Sequence, residues 1–379
     1  MADPADDFLV IGAGIAGLSL GWALAATHRV RILEAEAQPG MHATGRSAAF
    51  YSRIYGDAVI RRLTAASREF LFEPPADFTG DALVEPRPCL VFARPGEEAL
   101  LHERYREWRD AAPDLSLESA EFARQRLPVL RAEAVAGCLW EAGAQRIDVH
   151  ALLQGYLRGF RARGGRLVAN AAVTALLRDD ETWTAVTPAG EFRGRQLIDA
   201  AGAWADEVAA LAGARPLGIQ PLKRTACIVD VAPATVADDW PAATDLQESF
   251  YIVPESGRLL LSPADETPVP PMDAWPGDLD VATAVDRLER ATTLEVERVV
   301  NQWAGLRSFA PDRRPVLGPD PDVNGFFWCA GQGGYGIQTA PAMAALGAAL
   351  AAGRAPPPAL LAAGIDPAEL APGRFGGDA

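Results

Sequence analysis

The chain has 379 residues, of which 49% are apolar and 22% are charged, proportions that are typical of soluble globular proteins and exclude a disordered or fibrous class. The chain contains 35 Lys and Arg residues and 50 Asp and Glu residues, which gives a net charge of −15, and it has no basic run. Nucleic acid is therefore not expected as a partner. Because single cores seldom grow beyond about 250 to 300 residues, the length predicts two compact units.

The cysteines and the N-terminal segment indicate the cellular context. Cys89, Cys138, Cys227 and Cys329 lie too far apart to form a C-x-x-C pair, which predicts neither a disulfide framework nor a metal site and favours a cytoplasmic location. The apolar segment 8–26 is long enough to suggest a membrane span. Acidic residues precede it and four glycines interrupt it, so we expect neither a signal peptide nor a membrane span.

The N-terminal segment predicts one strand–helix–strand unit. Residues 8–11 form an apolar run that ends at glycine, as expected for a strand buried on both faces of a parallel sheet. A helix is predicted at 15–26 and a second strand at 30–33.

Gly12-x-Gly14-x-x-Gly17 lies between this strand and helix, and Glu34 follows about twenty residues later. Gly12 allows a tight turn, Gly14 lets the backbone approach a pyrophosphate, and Gly17 lets helix and strand pack closely. Free amides at the start of the helix would face the phosphates. Glu34 would bind the ribose hydroxyls of an ADP moiety and repel a 2′-phosphate, which favours NAD or FAD over NADP. The alternative is a glycine-rich packing turn.

The rest of the chain alternates between strands, turns and helices. Pro- and Gly-rich stretches at 73–95 and 263–277 are predicted to be loops or domain crossings. The later predicted elements are strands at 166–169, 183–187 and 195–200, a turn at 201–204 followed by a helix, a strand at 325–330, a glycine loop at 331–336, and a helix from about 340 to 352.

Two loops decide between NAD and FAD. The loop at 44–49 directly follows the first unit and would wrap the pyrophosphate from its second side. The loop at 331–336 opens a helix whose amides would stabilise an electron-rich, reduced flavin ring. Each loop alone is compatible with an ordinary connection, and together they favour FAD.

Further blocks occur in order along the chain. They are IGAGIAG (11–17), SAA (47–49), GYLRG (155–159), AAGAW (200–204), ESFY (248–251), WAGLRSF (303–309) and QGGYGIQT (332–339). In these blocks the sequence resembles the D-amino acid oxidase-like (DAO) flavoproteins, which include glycine and sarcosine oxidases. Within that family it is most similar to the bacterial FAD-dependent D-arginine dehydrogenases.

The resemblance implies an α/β fold in which a doubly wound, Rossmann-like FAD-binding domain is interleaved with an α+β substrate domain built on a mixed sheet. The predicted FAD-binding domain comprises 1–55, 145–215 and 316–379, and the substrate-binding domain comprises 56–144 and 216–315. FAD is expected to bind noncovalently. The implied cofactor-binding residues are Gly12, Gly14, Ile15, Ala16, Gly17, Glu34, Arg46, Ser47, Ala48, Val173, Ala201, Gly202, Trp204, Gly331, Gly333, Gly334, Tyr335, Gly336, Ile337 and Gln338.

By the same resemblance, Arg224, Arg307 and Tyr251 hold a substrate carboxylate, with which a guanidinium can form a bidentate pair. Gly334 matches a position whose backbone meets the substrate, and Tyr55 matches an aromatic residue on a mobile loop that closes over it. Without the resemblance, an isolated arginine such as Arg307 would be interpreted as a surface or structural residue.

The predicted substrate pocket departs from that of the D-arginine enzymes. Cys89 replaces a glutamate that binds the substrate guanidinium, and a neutral thiol cannot balance that charge. Phe50 replaces an active-site histidine, and Ser52 occupies the hydroxyl position that follows. Ala242 and Thr244 replace a methionine and a valine of the side-chain pocket. The sequence therefore predicts neutral or apolar D-amino acids as substrates in preference to D-arginine.

The predicted reaction is oxidative deamination of a D-amino acid, by hydride transfer from Cα to flavin N5 and hydrolysis of the imino acid to a 2-oxo acid and ammonia. No catalytic base is needed if the amine binds neutral, and no histidine is assigned a role. The electron acceptor is a quinone, a dye or oxygen, with a dehydrogenase favoured by resemblance, and a monomer is expected. Alternatives are an oxidase of glycine, sarcosine or another secondary amine, a non-catalytic flavin-binding subunit, and an NAD-dependent dehydrogenase.

Overall fold

The computed structural model describes residues 5–179 and 181–376. Its strands are β1 (Asp6–Ile11), β2 (Val30–Leu33), β3 (Phe50–Tyr51), β4 (Val84–Pro86), β5 (Cys89–Ala93), β6 (Leu115–Ser119), β7 (Gly137–Glu141), β8 (Gln145–Ile147), β9 (Arg166–Val168), β10 (Ala175–Asp179), β11 (Thr182–Thr187), β12 (Gly190–Asp199), β13 (Gln220–Ala232), β14 (Ala242–Asp245), β15 (Tyr251–Glu255), β16 (Arg258–Ser262), β17 (Thr267–Pro268), β18 (Glu295–Phe309), β19 (Val316–Pro319) and β20 (Phe326–Ala330).

Helices connect these strands. They are α1 (Ile15–Leu24), α2 (Ala58–Phe72), α3 (Glu98–Trp108), α4 (Ala120–Arg126), α5 (Val149–Ala162), α6 (Ala205–Leu211), α7 (Asp278–Ala291), α8 (Gly336–Ala351) and α9 (Pro358–Ala362). Several begin at a side-chain cap: Asp57 accepts from the amide of Ile60 in α2, and Asp148 accepts from the amide of Ala151 in α5. Such caps satisfy amides that have no acceptor within the helix.

The first sheet has the N-terminal strand at its centre. β1 pairs in parallel with β2 and β12, β2 with β9, and β12 with β20, while β10, β11 and β19 pair antiparallel. Alternate residues of β1 point in opposite directions. Phe8 and Val10 pack in the core that contains α1, α5 and α8, whereas Leu9 and Ile11 pack in the core that contains α6. Helices therefore cover both faces, which confirms the predicted doubly wound arrangement.

The second sheet is mixed. Its neighbours run in the order β17, β13, β16, β15, β14, β5, β7 and β6, with β18 also paired to β13. One face, which includes Cys227 and Leu261, packs against Leu288 of α7. The opposite face, which includes Ala226 and Val253, packs against Ala48 and Phe50. Since side chains alternate along a strand, one face builds a core and the other builds a wall that faces the first sheet.

Each of the two large sheets takes its strands from one set of predicted domain segments, whereas a third, smaller sheet of β3, β8 and β4 takes strands from both sets. The domain boundaries themselves stay a prediction. Every strand of the first sheet falls within the segments predicted for the cofactor-binding domain, and every strand of the second within those for the substrate-binding domain. Helix α2 departs from that prediction, because its apolar residues Val59, Leu63 and Leu71 pack with α8 in the first core.

Some predicted elements have different bounds. The stretch at 73–95 was predicted as loop but contains β4 and β5, because the apolar run Cys89–Ala93 pairs with β7 and β14 despite the prolines on either side. Helix α8 begins at Gly336, directly after the glycine loop, rather than near residue 340. The apolar segment 8–26 is divided between β1 and α1. Among the described residues, no helix has the length and apolar character that a membrane crossing requires.

Candidate active site

A cleft of about 620 Å³ lies between the two sheets. One wall is formed by the carboxyl ends of β1, β2 and β12 and by the first turns of α1 and α8, and the other by the face of the second sheet that lies opposite α7. In open α/β sheets ligands bind beyond the carboxyl ends of the strands, so this is the expected place for a ligand.

The loop after β1 has the geometry that its glycines predict. Gly12 has a φ of 99°, and a Cβ built on it would lie 2.5 Å from the carbonyl oxygen of Ala200. A Cβ on Gly17 would overlap the carbonyl oxygen of Gly12, so glycine is needed for α1 to approach this closely. Helix α1 therefore presents its N-terminus, where amides have no acceptor within the helix, to the cleft.

Two side chains hold this loop. The buried Glu34 accepts at Oε2 from the Ala13 amide (2.6 Å) and at Oε1 from the Glu36 amide (3.0 Å). Each carboxylate oxygen has a second acceptor position, which leaves Glu34 able to accept from the predicted ribose hydroxyls. Thr44 Oγ1 accepts from the Ile15 amide (3.0 Å), a contact that the sequence did not reveal although Thr44 opens the predicted 44–49 loop.

Most residues predicted to bind the cofactor line the cleft. They are Gly12, Gly14, Ile15, Ala16, Glu34, Arg46, Ser47, Ala48, Val173, Ala201, Gly202, Trp204, Gly333, Gly334, Gly336, Ile337 and Gln338. Gly17, Gly331 and Tyr335 do not line it. Gly17 packs against the first loop, and Gly331 lies against Ala310. The Tyr335 ring contacts that of Tyr55, with centroids 4.8 Å apart. These three residues therefore pack against residues near the cleft and do not line it.

Arg46 connects the two walls. Its Nη1 donates to the carbonyl oxygens of Ala274 (3.0 Å) and Ala304 (2.9 Å), and its Nη2 donates to Asp273 (2.5 Å). Its own carbonyl accepts from Trp303 Nε1 (3.0 Å). The guanidinium is thus engaged with the second domain, and its predicted contact with a cofactor stays a prediction.

Gln338 presents an unsatisfied donor to the cleft. Its Oε1 accepts from the Ser52 amide at 3.1 Å, whereas its buried Nε2 has no acceptor within residues 5–179 and 181–376. A buried donor without an acceptor costs about 1 to 3 kcal/mol. A bound group with an acceptor atom at this point would remove that cost.

Arg224 and Arg307 converge because of the register of β13 and β18. Leu222 lies opposite Arg307 and Arg224 lies opposite Gly305, so the two arginines occupy diagonal positions on one face of the antiparallel pair. Arg224 Nε donates to the carbonyl oxygen of Asp265 (2.8 Å). Burial and the nearby positive charge of Arg307 lower the pKa of Arg224.

The Arg307 guanidinium faces the cleft without an acceptor among the described residues. A Cβ built on Gly334 would lie 2.9 Å from both Arg307 Cζ and the Tyr55 hydroxyl oxygen, so a guanidinium, a phenol and bare backbone meet at one point. Tyr251 is close enough to interact electrostatically with both arginines. An unpaired cation enclosed in protein is costly, and a carboxylate would satisfy it.

The predicted pocket residues form one side of the second sheet. Ala242 pairs with Cys89 on the neighbouring strand, and Thr244 pairs with Tyr251, so their side chains share the face that lines the cleft. Burial, helped by the nearby Glu141, raises the pKa of Cys89 well above its usual range. The thiol is therefore neutral at physiological pH.

Phe50 and Ser52 reach the cleft from β3 and the residue beyond it. Ser52 Oγ donates to Oε2 of the buried Glu141 (2.7 Å), and the Arg53 amide donates to its Oε1 (2.7 Å). Burial raises the pKa of Glu141, although these two hydrogen bonds oppose the shift. No motif pointed to Glu141, which lies opposite Cys89 on β7.

Other residues of the site were assigned no role from the sequence. The apolar end of the cleft is completed by Ile54, Val91, Trp108 and Leu246. His42 lines the cofactor end, where its Nε2 lies 2.9 Å from Glu36 and its ring lies 4.8 Å from that of Trp204. The position of His42 beside Thr44 was a signal that could have found it.

The profile of the family described as FAD dependent oxidoreductase (DAO) matches residues 7–350. The match begins in β1, covers both large sheets and ends within the last turn of α8. The chain belongs to the DAO family of FAD-dependent oxidoreductases. Its cofactor is therefore FAD, and the NAD-dependent alternative is wrong.

Known proteins are similar to between 53% and 87% of this chain. Dimethylglycine dehydrogenase of Rattus norvegicus is 27% identical over 357 residues, 87% of this chain and 41% of that protein. The Homo sapiens enzyme is 26% identical, over 87% of this chain and 40% of that protein. The chain thus spans about two fifths of the length of these relatives. Glycine oxidase of Pseudomonas aeruginosa is 32% identical over 216 residues, 53% of this chain and 52% of that protein.

Solved structures confirm the fold class. A glycine oxidase from Geobacillus kaustophilus has a TM-score of 0.81 and 25% identity over 93% of this chain and 95% of that chain. An L-proline dehydrogenase from P. horikoshii has a TM-score of 0.84 and 20% identity over 98% of both chains. None of the relatives named here is a D-arginine dehydrogenase, so the finer resemblance is not established.

The cleft of this DAO chain fits FAD. The glycine loop and the N-terminus of α1 suit the pyrophosphate, and Glu34 suits the adenosine ribose. The orphaned Nε2 of Gln338 and the start of α8 lie at the other end, next to the arginine pair, where the flavin ring would be held. Noncovalent attachment remains a prediction.

Proposed function

We propose that this DAO chain oxidises a C–N bond in small amines that carry a carboxylate, with glycine and N-methylated glycines as the leading substrates. The observation that carries the proposal is the Arg307 guanidinium, which faces the cleft beside Arg224 without an acceptor among the described residues. Charge-assisted hydrogen bonds to a substrate carboxylate would contribute about 1.5 to 3 kcal/mol each. The names glycine oxidase and dimethylglycine dehydrogenase among the relatives support a glycine-type amine.

The residues of the clamp have different roles in this proposal. Arg307 and Arg224 hold the carboxylate, while Tyr55 and Tyr251 add phenol contacts and limit the access of water. The bare backbone of Gly334 leaves room for the substrate beside the guanidinium. When bound, FAD supplies the acceptor for the hydride that leaves the oxidised carbon. Holding the carboxylate at one point orients that carbon, which can account for a large part of the rate.

The substrate amine is expected to arrive without its extra proton. Among the described residues at the clamp end of the cleft, the arginines are charged, and burial keeps the Cys89 thiol neutral. Neither type of group is suited to remove a proton from an ammonium, and the proposal assigns no such role to Glu248, which also lines the cleft. The value of kcat/KM should therefore rise with pH until the amine of the substrate has lost its proton.

A second candidate substrate is a neutral D-amino acid. The wall beyond the clamp supports it, because Cys89, Ala242, Val91 and Leu246 are small or apolar and leave space for a side chain. D-Arginine is disfavoured, since its guanidinium would face a neutral thiol. A tenfold or greater preference for D-arginine over D-leucine would contradict this interpretation.

Anaerobic reduction of the purified, FAD-loaded protein tests both candidates. Glycine, sarcosine, dimethylglycine and both enantiomers of alanine, leucine and arginine are added separately, and loss of the oxidised flavin absorbance identifies substrates. We expect at least one glycine-type amine to reduce the flavin, and readmission of air then distinguishes an oxidase from a dehydrogenase. If no amino acid reduces the flavin, the proposal fails in favour of a non-catalytic flavin-binding subunit.

Replacement of Arg307 by methionine tests the clamp. Arg307→Met removes the guanidinium, so kcat/KM should fall by at least about 100-fold, which corresponds to the loss of two charge-assisted hydrogen bonds. The melting temperature should stay constant or rise, because an unpaired cation is removed. Arg298→Met, at an exposed arginine paired with Asp230, is the matched control and should change neither value appreciably. Retention of kcat/KM in Arg307→Met would exclude the clamp.

A further inference from the structure

Glu266 places a carboxylate of the protein at the edge of the arginine clamp. Its Oε1 accepts from Arg224 Nη2 (3.3 Å) and from Arg313 Nη2 (2.8 Å), and its Oε2 accepts from the same Arg313 nitrogen (3.0 Å). Arg313 in turn lies over the Phe309 ring, 4.0 Å from its centroid. The group proposed to receive a substrate carboxylate is therefore already in contact with an internal one.

Glu266 lies closer to Arg313 than to Arg224. The contacts with Arg313 are of normal length, whereas 3.3 Å to Arg224 is long for a charge-assisted hydrogen bond. Arg224 also keeps its hydrogen bond from Nε to the Asp265 carbonyl. If another carboxylate binds Arg224 Nη2, Glu266 keeps its ion pair with Arg313, and Arg224 keeps its hydrogen bond to the Asp265 carbonyl. The exchange leaves no charge without a counterpart.

We propose that Glu266 competes with the substrate carboxylate for Arg224, and that Arg313 sets the strength of this competition by holding Glu266 back. This inference rests on the proposed function, in which Arg224 binds that carboxylate. A fixed negative charge beside the clamp repels an incoming carboxylate. Glu266 therefore weakens the binding of every acid at the clamp, including a carboxylate product, and so favours release of that product.

The test uses propionate, a carboxylate without an oxidisable amine, and the FAD-loaded protein. Its Kd is measured from the change that it causes in flavin absorbance. Glu266→Gln removes the charge but keeps the shape, so the Kd should fall by about three- to tenfold, and KM for an oxidised amine should fall while kcat does not increase. Arg313→Gln leaves Glu266 with Arg224 alone, so the Kd should rise by about threefold or more.

Opposite shifts of the Kd in the two variants are diagnostic. If the Glu266–Arg313 ion pair had only a structural role, loss of either partner would weaken propionate binding. Glu248→Gln is the matched control, since Glu248 lines the cleft but has no contact with Arg224, and the Kd of propionate in this variant should change less than twofold. An unchanged or raised Kd in Glu266→Gln, or an equal fall in Glu248→Gln, would overturn the competition. Failure of the proposed function has a different signature: either the unmodified protein would not bind propionate, or it would bind propionate with a Kd that Arg307→Met leaves unchanged.

Discussion

At the residue scale, the buried position of Asp199 disfavours a negative charge on its carboxyl next to the cofactor cleft. It ends β12 and is fully buried, with Oδ1 accepting from the Ala201 amide (3.0 Å) and Oδ2 unpartnered among the described residues. Burial raises the pKa of Asp199 well above its usual range, opposed by the Ala201 hydrogen bond and reinforced by Asp206. Folding therefore favours the protonated carboxyl.

The replacement Asp199→Asn keeps the acceptor and removes the charge. Because the folded pKa lies above the unfolded one, the contribution of Asp199 to stability is complete below the unfolded pKa and is lost as pH rises through the folded pKa. The gain in melting temperature of Asp199→Asn over the unmodified protein should therefore be larger at pH 8 than at pH 5. At pH 8 it should correspond to about 1 to 3 kcal/mol.

Thermal unfolding of the FAD-loaded protein at both pH values measures this gain. Asp286→Asn, which changes an exposed carboxylate paired with Arg290, is the control and should give a small shift that differs little between the two pH values. An equal or smaller gain for Asp199→Asn at pH 8 would contradict the raised pKa.

At the scale of elements, the segment between β3 and α2 carries Tyr55 to the clamp. It is held from two directions: Glu141 of β7 accepts from Ser52 and Arg53, and Gln338 of α8 accepts from the Ser52 amide. A strand of the second sheet and a helix of the first thus determine together where Tyr55 lies. The position of the clamp phenol is a property of three elements and not of the loop alone.

Removal of the Glu141 carboxylate should loosen this segment. Glu141→Ala leaves the Ser52 hydroxyl and the Arg53 amide without their acceptor, a loss of about 2 to 3 kcal/mol of stability. Trypsin should then cleave after Arg53 faster than in the unmodified protein, and Glu141→Gln, which keeps one acceptor, should be intermediate. Glu118→Ala on the adjacent β6 is the control. Unchanged cleavage in Glu141→Ala would show that the contacts of Ser52 with Gln338 and of Arg53 with Asp114 hold the segment without Glu141.

At the scale of the whole molecule, the two domains are joined across the cleft by Arg46. The loop that carries it lines the cofactor end, while its guanidinium donates to Ala274, Ala304 and Asp273 of the second domain. The two walls of the cleft therefore cannot separate without losing these hydrogen bonds. FAD binding and domain contact should be linked through this side chain.

Arg46→Ala should lower the melting temperature of both the apoprotein and the FAD-loaded protein, and should also narrow the difference between them. That difference reports FAD affinity, because a ligand stabilises in proportion to the logarithm of its concentration relative to Kd. Thermal unfolding with and without added FAD measures it, with the exposed Arg29→Ala as control. If the melting temperatures fall but the difference between the FAD-loaded protein and the apoprotein is unchanged, Arg46 contributes to the contact between domains and not to FAD affinity.

The sequence by itself determined the parts of this protein that depend on neighbouring residues. The turn at Gly12, the start of α1 and the partner carboxylate Glu34 lie within one short unit, and the resemblance carried by ordered blocks indicated FAD and the arginine clamp. The apolar run at 8–11 likewise predicted a strand that is buried on both faces. The leading substrate class was not determined in this way, and the relatives favour the alternative of a glycine-type amine.

The tertiary structure decided which distant residues meet. The register of β13 against β18 places Arg224 diagonal to Arg307, and the folding of later segments brings Glu266 to the same point. The pairing of β5 with β7 places Glu141 behind Cys89 in the same way. Strand register depends on the packing of a whole sheet face, and a shift of one residue would turn each of these side chains to the opposite side. No local pattern contains that information.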